Sequence, residues 1–207
     1  MIRESKMSSN IYKLSAFPLH VIVLPGEEIP LRIFEPRYKQ LITESLESSS
    51  SFGIPYIDGE NEITNIGSEV EIVKLVDQND SGDMVITIKG KALYEILDFF
   101  PVLPDKLYGG SIAKTLNHDL STTNPEIAVK VKKLKLNIDS KLGTLIISDS
   151  LNLLDIAKTL MLKPSEKYRF ITLVNKSDRE QFIINYLNFM ELIRAQELKL
   201  EDNFQLN

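Results

Sequence analysis

Cysteine is absent from this sequence of 207 residues, and histidine occurs only twice. The absence of cysteine excludes disulfide bonds, thiolate metal sites and cysteine nucleophiles, and it fits a reducing compartment. No apolar run approaches the roughly 18 residues that cross a bilayer, and residues 1–10 lack the apolar core of a signal peptide. The net charge of −5 argues against nucleic acid as the main partner. We therefore expect a cytoplasmic protein without a membrane segment.

The most informative stretch covers residues 17–38, with the sequence FPLHVIVLPGEEIPLRIFEPRY. A Pro-Gly pair separates two apolar runs and predicts a turn, because Pro presets φ and Gly tolerates positive φ. The first run, residues 17–24, is rich in β-branched residues and predicts a strand buried on both faces. Pro30 lacks a backbone donor, so it is expected at the start or the edge of the second run. A Glu-Pro pair then predicts a helix near residues 36–47.

This stretch resembles the N-terminal domain of Lon proteases. The resemblance lies in the Phe-Pro-Leu opening, the Leu-Pro-Gly turn and the Pro-Leu-x-Ile-Phe-Glu-Pro-Arg-Tyr run. Further short motifs extend it over nearly the whole chain: Phe52-Gly53-Ile54, Ile66-Gly67, Ile88-Lys89-Gly90, Ile156-Ala157, Leu160, Glu166-Lys167 and Ser177-Asp178-Arg179. The chain resembles small stand-alone proteins made of that domain alone, which lack the ATPase and serine–lysine peptidase modules of Lon proteases. The resemblance implies a PUA-like β pseudo-barrel followed by a helical bundle, and a role in engaging substrate polypeptides.

The order of local signals predicts an α+β fold. Short apolar runs separated by turn clusters fill the first half and predict six or seven strands, as in a small barrel. The glycine at Gly90 is expected to interrupt one strand, and residues 99–108 are expected to form a loop. Helical periodicity fills the second half. We place the β lobe at residues 1–118 and the helical lobe at residues 119–207.

The helical half carries clear start and stop signals. An Asn-Pro pair at residues 124–125 is expected to open its first helix. Pro164 is expected to end the second helix. Ser177 with Glu180 predicts a capping box that opens the longest helix, and the polar tail at residues 201–207 is expected to fray. The predicted apolar stripe of the first helix is Ile127, Val131, Leu134 and Ile138.

Motifs of catalysis and metal binding are missing from the 207 residues. The sequence contains no GxxxxGK[ST] phosphate loop, no GxSxG nucleophile elbow and no HExxH zinc motif. His20 and His118 are expected to be structural or surface residues. We therefore predict no catalytic residue, no metal, no cofactor and no enzymatic activity. An uncharacterised hydrolase is the alternative, and it would require a polar cleft with perturbed titratable groups.

Two surfaces are candidates for partner binding. The apolar segment at residues 99–104 either plugs one end of the barrel or displays apolar surface to a partner. The other candidate is a groove near Phe34 and Tyr38, where the β lobe is expected to meet the helices. The predicted binding residues are Phe34, Tyr38, Phe99, Phe100 and Tyr108.

The function predicted from these observations is non-catalytic binding of unfolded or partner polypeptides. The resemblance further suggests an adaptor that acts in trans with a protease. An RNA-binding PUA-like module is an alternative that requires a basic face, which the acidic charge balance does not favour. The sequence leaves the oligomeric state open.

Overall fold

The computed structural model describes residues 11–117, 120–137 and 151–205, and the chain divides into two compact units, residues 1–118 and 119–207. The elements of the first unit are β1 (Ile11–Ala16), β2 (Glu28–Ile33), α1 (Pro36–Ser48), β3 (Phe52–Ile57), β4 (Ile63–Gln78), β5 (Met84–Phe100) and β6 (Gly109–Thr115). Those of the second are β7 (Ser121–Thr122), α2 (Pro125–Asn137), β8 (Leu151–Asn152), α3 (Leu153–Thr159), α4 (Pro164–Thr172) and α5 (Lys176–Gln205). None of the described helices is both long and apolar enough to cross a membrane.

The strands of the first unit form a closed barrel with one extra strand. Their order is β2-β5-β4-β3-β1-β6, and β5 also pairs with β6, so five strands close on themselves. The pair β1–β3 is parallel and the others are antiparallel. The long strand β5 makes closure possible, because its first part pairs with β2 and its last part with β6. This architecture confirms the predicted α+β fold with a β pseudo-barrel followed by helices.

The predicted interruption at Gly90 is a β-bulge and not an end of the strand, because β5 runs through this residue while its register with β4 shifts between Gly90 and Ala92. The preceding residues alternate as expected, with Met84, Ile86 and Ile88 buried. Gly90 itself lies against the backbone of Leu24, where a Cβ atom would come within 2.2 Å of the carbonyl oxygen. The glycine therefore permits a close approach of two backbones instead of ending the strand.

The predicted strand at residues 17–24 does not form, and the predicted burial holds only for Phe17 and for residues 22–24. The segment makes only an isolated bridge, between Leu19 and Tyr56, and no continuous ladder. Its last apolar residues are fully buried. Side chains replace the missing ladder, since the Val23 amide donates to Ser68 Oγ at 3.0 Å and the Leu24 amide to Glu27 Oε2 at 2.9 Å.

Helix α1 packs on the buried face of the sheet formed by β2 and β5. Its observed range agrees with the predicted helix near residues 36–47, and its buried face is formed by Tyr38, Leu41 and Ile42. These side chains join one hydrophobic core with Ile33 and the buried residues of β5. The core fixes the first turn of α1, which carries part of the site described below.

The second unit is helical and partly as predicted. Asn124 caps α2, since its Oδ1 accepts from the Glu126 amide at 3.0 Å. The predicted capping box at Ser177 is wrong, because α5 begins at Lys176 and Glu180 instead accepts from Thr122 Oγ1 at 2.5 Å. The helix α5 also continues to Gln205, beyond the predicted start of the frayed tail.

One further expectation differs from the structure, and two others fall on residues that the structure does not describe. Helix α3 ends at Thr159, earlier than a stop at Pro164 implies, and Pro164 instead begins α4. The expectations for His118 and Ile138 lie outside the described residues.

Candidate functional site

A cleft of about 430 Å³ opens on the first unit. It lies among the segment after β1, the start of α1, the β3–β4 hairpin and the β5–β6 hairpin. Apolar residues form most of its lining: Ala16, Phe17, Pro18, Leu19, Ile57, Ile63, Phe99, Pro101 and Gly109, together with Tyr38. His20, Glu35 and Arg37 complete the lining. Its volume falls in the range of about 300–1,000 Å³ that is typical of binding pockets.

An aromatic stack supports this cleft. The rings of Phe17 and Tyr38 are stacked with centroids 3.8 Å apart, and Phe52 lies 6.5 Å from Phe17. The Arg37 guanidinium lies 4.6 Å from the centroid of the Tyr38 ring. Burial raises the pKa of Tyr38, so its phenol is neutral at physiological pH. The stack holds the first turn of α1 against the segment after β1 and keeps this side of the cleft apolar.

The polar groups that line the cleft have partners within the chain. Arg37 Nη2 lies 2.8 Å from Glu35 Oε2, and Arg37 Nε donates to the same oxygen at 2.9 Å. His20 Nδ1 is 3.1 Å from the carbonyl oxygen of Ile57. The arginine cation is therefore balanced by an adjacent carboxylate. The cleft presents chiefly apolar surface, with one Arg–Glu ion pair at its rim.

The structure brings two of the predicted binding residues, Tyr38 and Phe99, into this one cleft. Phe34 does not line it, although it is 61% exposed and precedes Glu35 in the chain. Phe100 is exposed at the end of β5 but also lies outside the lining. Tyr108 is buried, so its ring supports the neighbouring loop from inside.

The predicted loop at residues 99–108 begins too early. Phe99 and Phe100 belong to β5 and pair with β6, opposite Ser111 and Gly110. Within the apolar segment, only Leu103 packs against the large core, whereas Val102 is exposed. Most of the segment therefore displays apolar surface, and only Leu103 packs inwards as a barrel plug would. The predicted groove between the lobes stays a prediction.

Several lining residues do not follow from the sequence patterns. The pattern at residues 17–19 predicts a core strand, although Pro18 inside it is a signal that regular pairing fails there. Ile57 and Ile63 flank the Asp-Gly turn at residues 58–59, and this signal predicts a hairpin without indicating what its base contacts. Only the closure of the barrel places these elements around one cleft.

A polar network holds the loop before β6. Glu44 Oε2 accepts from Tyr108 Oη at 2.5 Å and from Lys106 Nζ at 2.8 Å. Gln40 links the same helix to this loop, since its Oε1 accepts from the Leu107 amide at 2.9 Å. Hydrogen bonds from Lys106 and Tyr108 lower the pKa of the Glu44 carboxyl. The network attaches the exposed apolar loop to α1.

We expect acidification to release this loop. Because the pKa of Glu44 is lower in the folded chain than its ordinary value of 4.5, the stabilisation is complete above pH 4.5 and is lost as pH falls through the folded pKa. Amide hydrogen exchange of residues 101–108 should therefore accelerate on titration from pH 7 to pH 3, after correction for the intrinsic pH dependence. Glu44→Gln should exchange faster at pH 7 and lose the acid-induced step. Equal protection of the wild type and the Glu44→Gln variant at pH 7 would show that the network does not hold the loop.

A second hollow, of about 720 Å³, lies on the helical unit between α4 and α5. Arg169 lies 5.9 Å from the centroid of the Phe182 ring within it. Glu166 also lines the hollow, and its carboxylate accepts from the Lys163 amide at 2.7 Å, which caps α4. This lining mixes charged and aromatic groups already engaged in the helical packing, so the cleft of the first unit is the better candidate for an apolar ligand. Among the described residues, no cluster of three or more His, Asp or Glu side chains is placed to hold a metal ion.

Comparison with known proteins agrees with this fold. A sequence model of the ATP-dependent protease La (LON) substrate-binding domain matches residues 13–188. A crystal structure of a Lon N-terminal domain protein from Xanthomonas campestris is 21% identical, with a TM-score of 0.61 and a match over 84% of this chain and 98% of that one. The N-terminal domain of the Mycobacterium avium complex Lon protease is 14% identical, with a TM-score of 0.63 over 86% and 98% of the two chains. No curated protein matches the chain. Because the matched residues make up most of its length, the chain belongs to the family of Lon substrate-binding domains.

Proposed function

We propose that this protein is a non-catalytic module that binds unfolded polypeptides through the apolar cleft of its first unit. The observation that carries the proposal is the lining of the cleft, in which aromatic, aliphatic and proline side chains predominate beside one Arg–Glu ion pair. Membership of the Lon substrate-binding family supports the same conclusion. The binding energy would come from burial of apolar side chains, at about 25 cal/mol per Å² before the costs of association.

The character of the lining favours polypeptide over RNA. RNA-binding surfaces combine stacking aromatics with unpaired cations that contact phosphates. The arginine of this cleft is neutralised by Glu35, at 2.8 Å, and the rest of the lining includes no lysine. An apolar segment of an unfolded chain matches these groups better than a phosphate backbone does.

We further propose that the module acts as an adaptor, which presents the bound polypeptide to a protease in trans. This step is supported by the family alone, because nothing in the described residues identifies the protease. Affinity capture from lysate, with wild-type and cleft-variant chains in parallel, would test it. Recovery of a protease together with unfolded clients by the wild type is expected, and clients without any protease would contradict the adaptor role.

A binding measurement tests the cleft itself. The probe is a fluorescein-labelled peptide in which leucine and phenylalanine alternate with serine, compared with a peptide in which serine replaces every apolar residue. We expect the apolar peptide alone to raise fluorescence anisotropy on titration with the full chain. Phe99→Asp and Ile63→Asp should each raise Kd by about tenfold or more, since both place a charge in an apolar lining.

Val102→Asp is the matched control for these variants. Val102 is an exposed apolar residue in the same hairpin as Phe99, but it does not line the cleft. Binding by Val102→Asp should therefore equal that of the wild type. If Val102→Asp weakens binding while Phe99→Asp does not, the exposed loop is the site and the cleft is not. Equal binding of the apolar and serine peptides would contradict the proposed function altogether.

A further inference from the structure

One strand of the barrel has an open edge over half its length. Strand β4 pairs with β3 only as far as Val70, which lies opposite Phe52. On its other side β4 stays paired with β5 up to Gln78. Within the residues that the structure describes, no strand pairs with the outer edge of β4 at residues 71–78. Such an edge offers backbone donors and acceptors to another strand.

Two β-bulges sort the side chains of this segment onto separate faces. The register with β5 shifts between Ile72 and Lys74 and again between Leu75 and Asp77. As a result, the charged residues at positions 71, 74 and 77 of β4 lie opposite residues 89, 87 and 85 of β5. These three residues of β5 alternate along the strand with its buried residues. Ile72 and Leu75 instead lie opposite buried residues of β5, at positions 88 and 86. A sequence with a charge every third residue therefore becomes a strand with one charged face and one apolar face.

Three apolar residues of this edge are not covered. The exposed fractions are 50% for Val73, 39% for Leu75 and 51% for Val76. Neither Val73 nor Val76 has a residue opposite it on β5, because each is the extra residue of a bulge. Exposed apolar residues along an open strand edge are typical of a surface that pairs with another chain.

We propose that two copies of the chain associate through this edge, β4 against β4 in antiparallel orientation. The pattern of charges selects the register. When Lys74 lies opposite Asp77 of the second copy, the twofold axis also places Asp77 opposite the second Lys74. Leu75 of each copy then lies opposite Val76 of the other, next to the axis. The two ion pairs lie on the charged face of the strands, and the aliphatic side chains lie at the centre of the contact.

The other registers that place charged residues opposite each other conflict with the charges or with the existing pairing. Sliding one strand by three residues in one direction places Lys74 opposite Lys74 and Glu71 opposite Asp77, which are like-charge pairs. The same slide in the other direction places Asp77 opposite Asp77. A register that pairs Lys74 with Glu71 would bring Leu75 opposite Val70, whose backbone already pairs with β3. The register of Lys74 with Asp77 therefore combines opposite charges with a free backbone edge.

The bulges also favour a second copy over an unrelated extended peptide. A bulge increases the local twist of its strand, and this discourages pairing with a regular strand. An identical strand related by a twofold axis has the same twist. Because the open edge spans only residues 71–78, about 26 Å at 3.3 Å per residue, we expect a concentration-dependent dimer.

Sedimentation velocity of the full chain tests the proposal. Over concentrations from about 10 µM to about 1 mM, the weight-average mass should rise from monomer towards dimer. Lys74→Asp and Asp77→Lys each create two like-charge pairs across the axis, and each should raise the dimer Kd by about tenfold or more. The double variant reverses both charges and should restore dimerisation. A wild-type chain that stays monomeric, or single and double variants that dimerise equally well, would overturn the proposal.

Cysteine cross-linking tests the register, since the chain contains no cysteine. Lys74→Cys protein mixed with Asp77→Cys protein should form a heterodimeric disulfide under mild oxidation. Each variant alone should cross-link much more slowly, because residues 74 of the two copies do not face each other. Faster cross-linking of either single variant than of the mixture would contradict the register. Thermal unfolding of each variant separately reports whether the chain is folded.

Discussion

Replacement of Gly90 by alanine is expected to destabilise the first unit by about 3 kcal/mol or more, the largest effect that we expect from a single added methyl group. A Cβ atom at this position would lie 2.2 Å from the carbonyl oxygen of Leu24 and 2.8 Å from its carbonyl carbon. Both atoms belong to the backbone, so rotation of a side chain cannot relieve the overlap. The chain would have to separate β5 from the segment that precedes β2.

That separation also breaks hydrogen bonds. The Gly26 amide donates to the Gly90 carbonyl at 2.8 Å, and the Gly90 amide donates to the Glu27 carbonyl at 2.9 Å. These bonds fix the Pro-Gly turn, in which Gly26 has φ 80°. Because the turn is followed directly by β2, we expect the variant to lose order in both elements.

Denaturant unfolding followed by near-ultraviolet circular dichroism measures this effect, since five of the seven tyrosines lie in the first unit. Gly59→Ala is the matched control, because a Cβ there has no neighbouring atom within 4 Å. We expect the unfolding midpoint of Gly59→Ala to stay close to that of the wild type. Equal midpoints for Gly90→Ala and Gly59→Ala would refute the close approach of Gly90 to Leu24.

The second large effect concerns the interior of the barrel. Tyr94 is fully buried there, and its ring occupies the space next to two glycines. A Cβ at Gly67 would lie 2.3 Å from Tyr94 Cζ, and a Cβ at Gly53 would lie 2.4 Å from Tyr94 Oη. Because the barrel interior is closely packed, the ring has little room to move, and we expect each glycine-to-alanine change to cost about 2–3 kcal/mol.

The two glycines differ in the part of the tyrosine that they contact, and this gives a sharper test. At Gly53 the overlap is with the hydroxyl oxygen, and the next ring atom is 3.1 Å away, whereas at Gly67 two ring carbons lie within 2.8 Å. Tyr94→Phe should therefore recover much of the stability lost in Gly53→Ala and little of that lost in Gly67→Ala.

A double-mutant cycle against Tyr94→Phe alone measures the difference. The free energies of unfolding of the wild type, the three single variants and the two double variants are compared by the same denaturant titration. Similar coupling energies at both glycines would contradict the contact with the hydroxyl group. Wild-type stability of Gly67→Ala would contradict the position of the ring itself.

Several features of the fold could be predicted because their signals are local. The helix near residues 36–47 follows from a proline at its first position and apolar spacing, and the cap at Asn124 from the preference of that side chain for helix starts. The alternation in Met84–Lys89 predicts one buried face without knowledge of the partner strand. The order of strands before helices places the chain in the α+β class.

Other features depend on contacts between distant parts of the chain. Gly90 resembles a strand break in isolation, and only the approach of Leu24 explains why the strand continues through it. The glycines at positions 53 and 67 belong to motifs that resemble those of a known family, but their physical reason is the ring of Tyr94, which is far from both in sequence. Local propensity cannot indicate such reasons, since it carries no information on which backbones meet.

The candidate site also has some features that the sequence predicts and others that depend on contacts between distant parts of the chain. The sequence alone predicted a β-then-α chain and proposed aromatic residues for partner binding, and its motifs resemble those of the Lon substrate-binding family. Barrel closure decided the rest, because it joined Phe99 and Tyr38 in one cleft, turned Tyr108 inwards against Glu44 and left the far half of β4 unpaired on its outer edge among the described strands. The physical reason is that strand register sets which face every side chain occupies, and register is determined by the partner strands and not by the residues of one strand.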